Sequence, residues 1–179
     1  HRYFHLNEPN VHAVVSDARY WLATQPADAK YDVILMDAYQ QPYIPFHLTT
    51  EEFFKLAEQH LAPGGVVAVN AGRTQTDYRL VSALASTMRA VYSNIFLVDV
   101  PAFTNTIVYG TNEPTSMADV QHNLDLAREP LIKRVAASAM QDGDLRASTY
   151  QGQVYTDDLA PVERLIDSII FQYATGKER

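Results

Sequence analysis

The stretch YDVILMD, residues 31–37, sets the fold class of this chain. Its first six residues are mostly apolar, which is typical of a strand covered on both faces, and Asp37 follows directly. A helix pattern comes next, and residues 61–70, LAPGGVVAVN, then predict a turn and a second buried strand. Ligands of open α/β sheets bind outside the carboxyl ends of parallel strands. We therefore expect Asp37 to face a ligand cleft.

The segments on either side of this unit continue the alternation of strands and helices. Residues 11–15, VHAVV, predict a short strand, and residues 18–24 predict a short helix. Residues 76–92 predict an amphipathic helix. Two later strands, 95–98 and 106–109, are separated by seven residues, too few for a crossover helix, so they should pair antiparallel. The order predicts an α/β fold with a mostly parallel sheet and a closing antiparallel hairpin.

Several helix starts can be read from local motifs. The tetrapeptide TTEE that begins at Thr49 predicts a capping box with Thr49 as the N-cap and with Leu48 and Phe53 as a hydrophobic staple. At Ser116 a further helical region opens, and Pro130 occupies a first-turn position of another helix. LAPGG is predicted to end the helix before it at its Pro-Gly-Gly. The last helix carries a core-facing stripe made of Val162, Leu165, Ile166, Ile169 and Ile170.

Composition excludes several classes of function. The chain has 179 residues, of which 47% are hydrophobic, which suits a single domain over residues 1–179. Its net charge of -7 disfavours nucleic-acid binding. It has no cysteine and no H-E-x-x-H pattern among its six histidines, so we expect no metal site. The sequence contains neither a nucleophile elbow nor a P-loop, and no apolar run is long enough to span a membrane.

Four motifs together resemble the spermidine/spermine synthase family, more closely its divergent bacterial branch. They are Asp17-Ala18 after a strand, YDVILMD at 31–37, LAPGG at 61–65 and TDDLAPVE at 156–163. TDDLAPVE is the most family-specific of the four, whereas the others also occur in S-adenosylmethionine-dependent methyltransferases of the same fold. The resemblance extends from about Val11 to the final helix.

The resemblance implies a Rossmann-like, methyltransferase-type sheet with strand order 3-2-1-4-5-7-6. Residues 11–15 would be its third strand and residues 31–36 its fourth, so the first two strands would be lacking. In agreement, the chain contains no G-x-G-x-G or G-x-G-x-x-G motif. We expect the chain to be the carboxyl-terminal two-thirds of such a domain, inactive without its longer parent. Family members commonly form dimers or tetramers, and some carry membrane-spanning segments, so the parent is expected in the cytoplasm or at the cytoplasmic face of a membrane.

The family transfers an aminopropyl group from decarboxylated S-adenosylmethionine to an amine. An amine with a pKa near ~10 is mostly protonated at neutral pH, so a carboxylate can orient the ammonium and accept its proton. The resemblance gives this role to Asp37, although Asp37 could instead cap the next turn. Asp17 and Ala18 match the family's adenine-contacting pair, and Asp17 could equally be the N-cap of the helix that follows. The nucleoside would be a substrate, and no metal is implied.

The loop after Asp37 departs from the family pattern. Polyamine synthases usually carry a second Asp where this chain has Gln40, and an amide supplies no charge to balance an ammonium. Nearby, Tyr39 and Tyr43 could box a cation with their ring faces or could pack the loop. The TDD sequence that begins at Thr156 is interpreted first as a helix start and second as part of the cleft edge.

Three functions remain open. The first is an aminopropyltransferase for a small-molecule amine. The second is a methyltransferase on the same fold, which Gln40 suggests, with S-adenosylmethionine as the donor. The third is a non-catalytic family member that acts as an interaction scaffold.

Overall fold

The computed structural model describes residues 8–39, 42–141 and 143–176. Its helices are α1 (Ala18–Ala23), α2 (Glu51–Gln59), α3 (Arg79–Arg89), α4 (Met117–Asp125), α5 (Pro130–Ala139) and α6 (Val162–Ala174). Its strands are β1 (Tyr31–Met36), β2 (Leu61–Gly72), β3 (Asn94–Val100), β4 (Asn105–Thr111) and β5 (Leu145–Ala147). Short 3-10 turns cover Phe46–Leu48 and Pro101–Phe103.

The sheet has the order β1-β2-β4-β3-β5. Strands β1 and β2 are parallel, with α2 as their crossover, and β3 and β4 form the predicted antiparallel hairpin. Strand β4 is inserted between β2 and β3, which gives the 4-5-7-6 part of the order implied by the family. The α/β fold of the methyltransferase type is therefore confirmed. The three-residue strand β5, which the sequence did not reveal, extends the sheet beyond β3.

The strand predicted over residues 11–15 is wrong. These residues have no strand structure, and Val11, Val14 and Val15 are exposed. A strand needs a partner for its backbone groups, and within the described residues β1 pairs with β2 alone. The described sheet is mixed rather than mostly parallel. Strands β1 and β2 form its parallel pair, whereas β2–β4, β3–β4 and β3–β5 are all antiparallel.

The main core covers one face of the sheet. Strand residues such as Val67, Val69 and Val108 on this face are completely buried. Helices α2 and α3 pack over it, and Leu84 of α3 is also inaccessible. The opposite face is more open at the β1 edge, where Val33 and Leu35 are each 63% exposed. Alternation along β1 therefore puts neighbouring side chains into different environments.

The segment LAPGG lies in a strand and does not end a helix. Helix α2 ends at Gln59 with His60 as its C-cap, and β2 begins at Leu61. The register with β1 shifts between Tyr31 and Val33, which leaves the Pro-Gly-Gly sequence in a bulge. Gly64 adopts φ 75°, and a Cβ on Gly65 would lie 2.8 Å from the carbonyl oxygen of Ala62. Both glycines are thus required by the backbone path.

The N-cap of α2 is Thr50, one residue after the predicted Thr49. Thr50 Oγ1 accepts from the backbone N–H of Phe53 over 3.3 Å, whereas Thr49 Oγ1 donates to Phe46 and closes the 3-10 turn. The predicted capping box is therefore wrong, because Thr49 belongs to the preceding turn. The start at Ser116 is confirmed, with a capping box to Asp119, and Pro130 begins α5 as predicted.

Helix α3 is shorter than the predicted range of 76–92. Asp77 and Thr74 form a turn before it, with the Asp77 N–H donating to Thr74 Oγ1 over 2.9 Å. Among the described residues, no helix is both long enough and apolar enough to cross a membrane.

Candidate active site

The two parallel strands end in side chains that contact each other. Asp37 follows β1, and Asn70 lies in the last part of β2, one residue beyond the Met36–Val69 pair. The Asn70 amide donates to Asp37 Oδ1 over 2.9 Å. Asp37 is exposed. The carboxylate is therefore oriented by a neighbouring strand while it remains accessible to a ligand.

Tyr39 joins the loop after Asp37 to β2. Its hydroxyl donates to the carbonyl oxygen of Asn70 over 2.6 Å and accepts from the N–H of Gly72 over 2.9 Å. Burial raises the pKa of Tyr39, and the negative charge of Asp37 acts in the same direction. Tyr39 is thus a neutral phenol near pH 7 and fixes the backbone beside Asp37.

Tyr43 binds a different part of the fold. Its hydroxyl donates to Asp167 Oδ1 on α6 over 2.6 Å, and this bond raises the pKa of Tyr43. Both predicted pocket tyrosines therefore make contacts that pack the loop. Gln40, the third predicted pocket residue, lies outside the described residues.

A cavity of about 540 Å³ lies along β1 and next to α1. Asp37 lines it together with Ala18, the second residue of the predicted adenine pair. Its other walls are largely apolar and include Trp21 and Phe53. The structure therefore brings positions 18 and 37, far apart in sequence, to one cavity.

Asp17 is the N-cap of α1. Its Oδ1 accepts from the N–H of Tyr20 over 2.8 Å, and its Oδ2 lies 2.8 Å from Nε2 of His47. The Tyr20 N–H and, to a smaller extent, His47 lower the pKa of Asp17. The capping role of Asp17 is present in the structure, and its neighbour Ala18, rather than Asp17 itself, lines the cavity.

The TDD sequence does not cap α6. That helix begins at Val162 with Pro161 as its N-cap and has no side-chain cap. Asp157 instead forms a two-pronged ion pair with Arg19 of α1, with both N–O distances at 2.7 Å. It also accepts from Thr50 Oγ1 over 2.8 Å, and its own N–H donates to Glu52 over 3.0 Å. The Arg19 guanidinium lowers the pKa of Asp157.

The TDD segment therefore connects the start of α1 to the start of α2. Sequence reasoning missed Arg19, because its partner lies 138 residues away. The only local signal was a lone arginine in a short helix.

A second group of charges, not predicted from the sequence, lies at the end of β3. Asp99 accepts from Arg146 over 2.9 Å and from the hydroxyls of Thr106 and Tyr78 over 2.5 and 3.0 Å. Burial by itself would raise the pKa of Asp99, but these donors outweigh it and leave the pKa below its usual value. Arg73 lies 3.9 Å from Asp99 and stacks over the ring of Tyr78.

Within the part of the chain that the structure describes, no three His, Asp or Glu side chains are grouped so that they could hold a metal ion. Hydrogen bonds and ion pairs between the side chains described above define the geometry of this region.

Solved structures share this fold. A probable spermidine synthase from Corynebacterium glutamicum is 25% identical, with a TM-score of 0.50 over 78% of this chain and 56% of that one. Human methyltransferase-like protein 13, solved in complex with SAH, also gives a TM-score of 0.50, over 72% of this chain and 56% of that one. At 18% identity it shows the fold alone. The chain therefore has the methyltransferase-like class of α/β fold.

The sequence comparisons are more specific. The family model for the spermine/spermidine synthase domain matches residues 1–122, and the chain belongs to that family. A probable polyamine aminopropyl transferase of Bifidobacterium longum is 32% identical over 93% of this chain and 42% of that protein. A polyamine aminopropyltransferase of Vibrio vulnificus is 34% identical over 56% of this chain and 33% of that protein. The chain therefore spans less than half the length of these curated relatives, and the family predicted from the four motifs is confirmed.

Proposed function

We propose that the natural protein carrying this chain binds decarboxylated S-adenosylmethionine and transfers its aminopropyl group to a small-molecule amine. One observation carries the proposal: Asp37, oriented by Asn70 at the carboxyl ends of two parallel strands, lines the same cavity as Ala18. The names of the relatives support the reaction class.

In this proposal the nucleoside occupies the cavity beside β1. The backbone at Ala18 meets the adenine ring, and the Asp17 carboxylate lies near its exocyclic amine. The apolar and aromatic walls fit the ring. Capping and ligand binding can coexist at Asp17, because a carboxylate has two oxygens and about four lone-pair sites.

Asp37 then acts on the acceptor. Its carboxylate holds the ammonium and accepts one proton, which frees the nitrogen lone pair. The nitrogen attacks the carbon next to the sulfonium, a C–N bond forms, and the C–S bond breaks with its electron pair going to sulfur. The products are the extended amine and a neutral thioether. Holding the two reactants together supplies much of the rate.

The test is isothermal titration calorimetry of the natural protein with both sulfonium nucleosides and their thioether products. We expect the decarboxylated nucleoside and its thioether to bind with 1:1 stoichiometry. An Asp37→Asn variant should still bind the nucleoside but transfer the group about 10³-fold more slowly. Absence of binding by every nucleoside would refute the proposal.

A second candidate is methyl transfer from S-adenosylmethionine, because Gln40 stands where polyamine synthases usually carry a second Asp. Mass spectrometry of the acceptor separates the two reactions, because an aminopropyl group and a methyl group add different masses. Turnover of S-adenosylmethionine with methyl addition would replace the first proposal by the second.

The proposal also includes a homodimer or homotetramer located in the cytoplasm or at the cytoplasmic face of a membrane. The family supports an assembly, because its members commonly form dimers or tetramers. Light scattering after size-exclusion chromatography measures the assembly.

A further inference from the structure

A second cavity, of about 620 Å³, lies between the end of β2 and α6. Tyr39 and Gly72 form its boundary on the side of Asp37. The Tyr39 hydroxyl bonds the backbone of Asn70, whose side chain bonds Asp37. The contacts from Tyr39 through Asn70 therefore connect the wall of this cavity to Asp37, the proposed amine-binding carboxylate. Both lie at the carboxyl ends of the parallel strands. We name it the tail cavity.

The walls of the tail cavity are mainly apolar. Helix α6 contributes most of one side, with Leu80 of α3 adding to the apolar surface. The isoleucines and Leu80 offer no hydrogen-bond partner to a polar group, whereas Thr74, Gln75, Thr104 and Tyr173 add uncharged polar groups to the lining. The residues that α6 contributes are Ile166, Ile169, Ile170 and Tyr173.

Among the described residues, no carboxylate lines the tail cavity. Among the described residues that line it, Arg73 is the charged one, and its side chain is 5% exposed. The group at the end of β3 combines two guanidiniums, Arg73 and Arg146, with the single carboxylate of Asp99. Of two other carboxylates nearby, Asp77 forms an ion pair with Arg79 over 2.6 Å, whereas Asp167 accepts only from the neutral hydroxyl of Tyr43 and keeps its charge, but it does not line the cavity.

We infer that the acceptor is a primary monoamine with an apolar tail, and that this tail occupies the tail cavity. The inference rests on the proposed function and narrows its substrate class. A diamine or polyamine would place a second ammonium among isoleucines and near Arg73, with no free carboxylate among the described lining residues. Burial of an unpaired ammonium is strongly unfavourable. An alkyl or aryl tail, in contrast, is stabilised when its apolar surface is buried against the same walls.

The test compares two acceptors of equal length, hexylamine and diaminohexane, with the natural protein and the decarboxylated nucleoside. We expect kcat/KM for hexylamine to exceed that for diaminohexane by roughly 100-fold, the range in which a pocket discriminates by polar mismatch. Equal use of the two amines, or preference for the diamine, would overturn the inference. So would a preference for an amino acid of similar length, whose carboxylate would pair with Arg73.

A pair of variants on α6 tests the location. Ile170→Glu places a carboxylate in the tail cavity at a residue that is already 44% exposed. It should shift the preference toward diaminohexane by about tenfold. The matched control is Phe171→Glu, which changes charge equally at the next residue, 64% exposed. The control should leave the ratio unchanged.

Tyr173→Glu gives a second position in case Ile170→Glu fails to fold, since Tyr173 lines the cavity and is 67% exposed. An unchanged ratio in the folded cavity variants, or an equal change in the control, would contradict the assignment of the tail cavity.

Nucleoside binding, measured separately by calorimetry, distinguishes the two proposals. Binding and transfer combined with a diamine preference would overturn the tail assignment alone. A protein that binds no nucleoside would refute the proposed function, and the acceptor inference would fail with it.

Discussion

The side-chain amide of Asn70 donates to the carboxylate of Asp37 over 2.9 Å, across two adjacent parallel strands. The two residues are 33 positions apart, and the crossover helix α2 between them brings the strand ends together. An exposed carboxylate would otherwise sample several rotamers. The contact gives Asp37 one preferred orientation at the edge where ligands of such sheets bind.

Replacement of Asp37 by Asn should abolish the proposed base. We expect kcat to fall by about 10³-fold, within the usual range for a general base, while the free energy of unfolding changes little because the residue is exposed. Steady-state transfer assays and urea unfolding measure the two effects. Asp32→Asn is the control, since Asp32 is exposed on the same strand. Full activity of the Asp37 variant would exclude the base assignment.

Loss of the Arg19–Asp157 ion pair should weaken the contact between the TDD segment and α1. We expect Asp157→Asn to lower the free energy of unfolding by about 1 kcal/mol, because the side chains are 25% and 43% exposed. The loss should shrink in ~1 M salt, which screens exposed charges. Urea unfolding at low and high salt measures it. Asp158→Asn, at the exposed neighbour, should have no effect, and an equal loss there would show that the ion pair is not the cause.

Asp99 should contribute more than Asp157 to the free energy of unfolding, because its side chain is 9% exposed and faces two guanidiniums. Asp99→Asn should cost about 3 kcal/mol, since it leaves buried positive charge without a counterion. The lowered pKa of Asp99 means that its stabilising contribution is present above the unfolded pKa of about 4 and disappears as pH falls through the lower folded value.

Urea unfolding at about pH 7 and about pH 2 measures this dependence. The difference between wild type and Asp99→Asn should be large at neutral pH and shrink in acid. Asp125→Asn, at an exposed acid of α4, serves as the control. A difference that is constant with pH would show that the carboxylate charge is not the source of stability.

Gly110 of β4 has no room for a side chain. An added Cβ would lie 2.8 Å from Cδ2 of Tyr92, whose hydroxyl also donates to the carbonyl oxygen of Phe54 in the core. Gly110→Ala should therefore lower the free energy of unfolding by about 2 kcal/mol through overpacking. Thermal and urea unfolding measure it. Gly72→Ala is the comparison, because among the described residues its Cβ would meet only Tyr39 Oη, at 3.8 Å. Equal effects at the two glycines would contradict the steric explanation.

Local patterns were enough for much of the fold. The apolar residues 31–36 predicted β1, and the short link between 95–98 and 106–109 predicted an antiparallel hairpin, because the chain cannot cross over in seven residues. Ser116 and Pro130 predicted helix starts, since their effects act within one turn. Such signals involve residues a few positions apart, so the sequence displays them directly.

Other features depend on partners that a local pattern does not contain. Residues 11–15 have strand-like composition, but β-structure needs a neighbouring strand, and none pairs with them in the described chain. The N-cap of α2 moved to Thr50 because a turn before it used Thr49. Strand β5 forms because Leu145–Ala147 meets β3, some fifty residues earlier.

The amino-acid sequence established the α/β class, the family and the acid that follows β1, because periodicity and short motifs are local properties of the chain. Tertiary structure alone supplied the contact of Asp37 with Asn70, the pairing of Asp157 with Arg19, and the largely apolar lining of the tail cavity. Each of these joins residues that are distant in sequence, and their distances, burial and mutual charge exist only after the chain has folded.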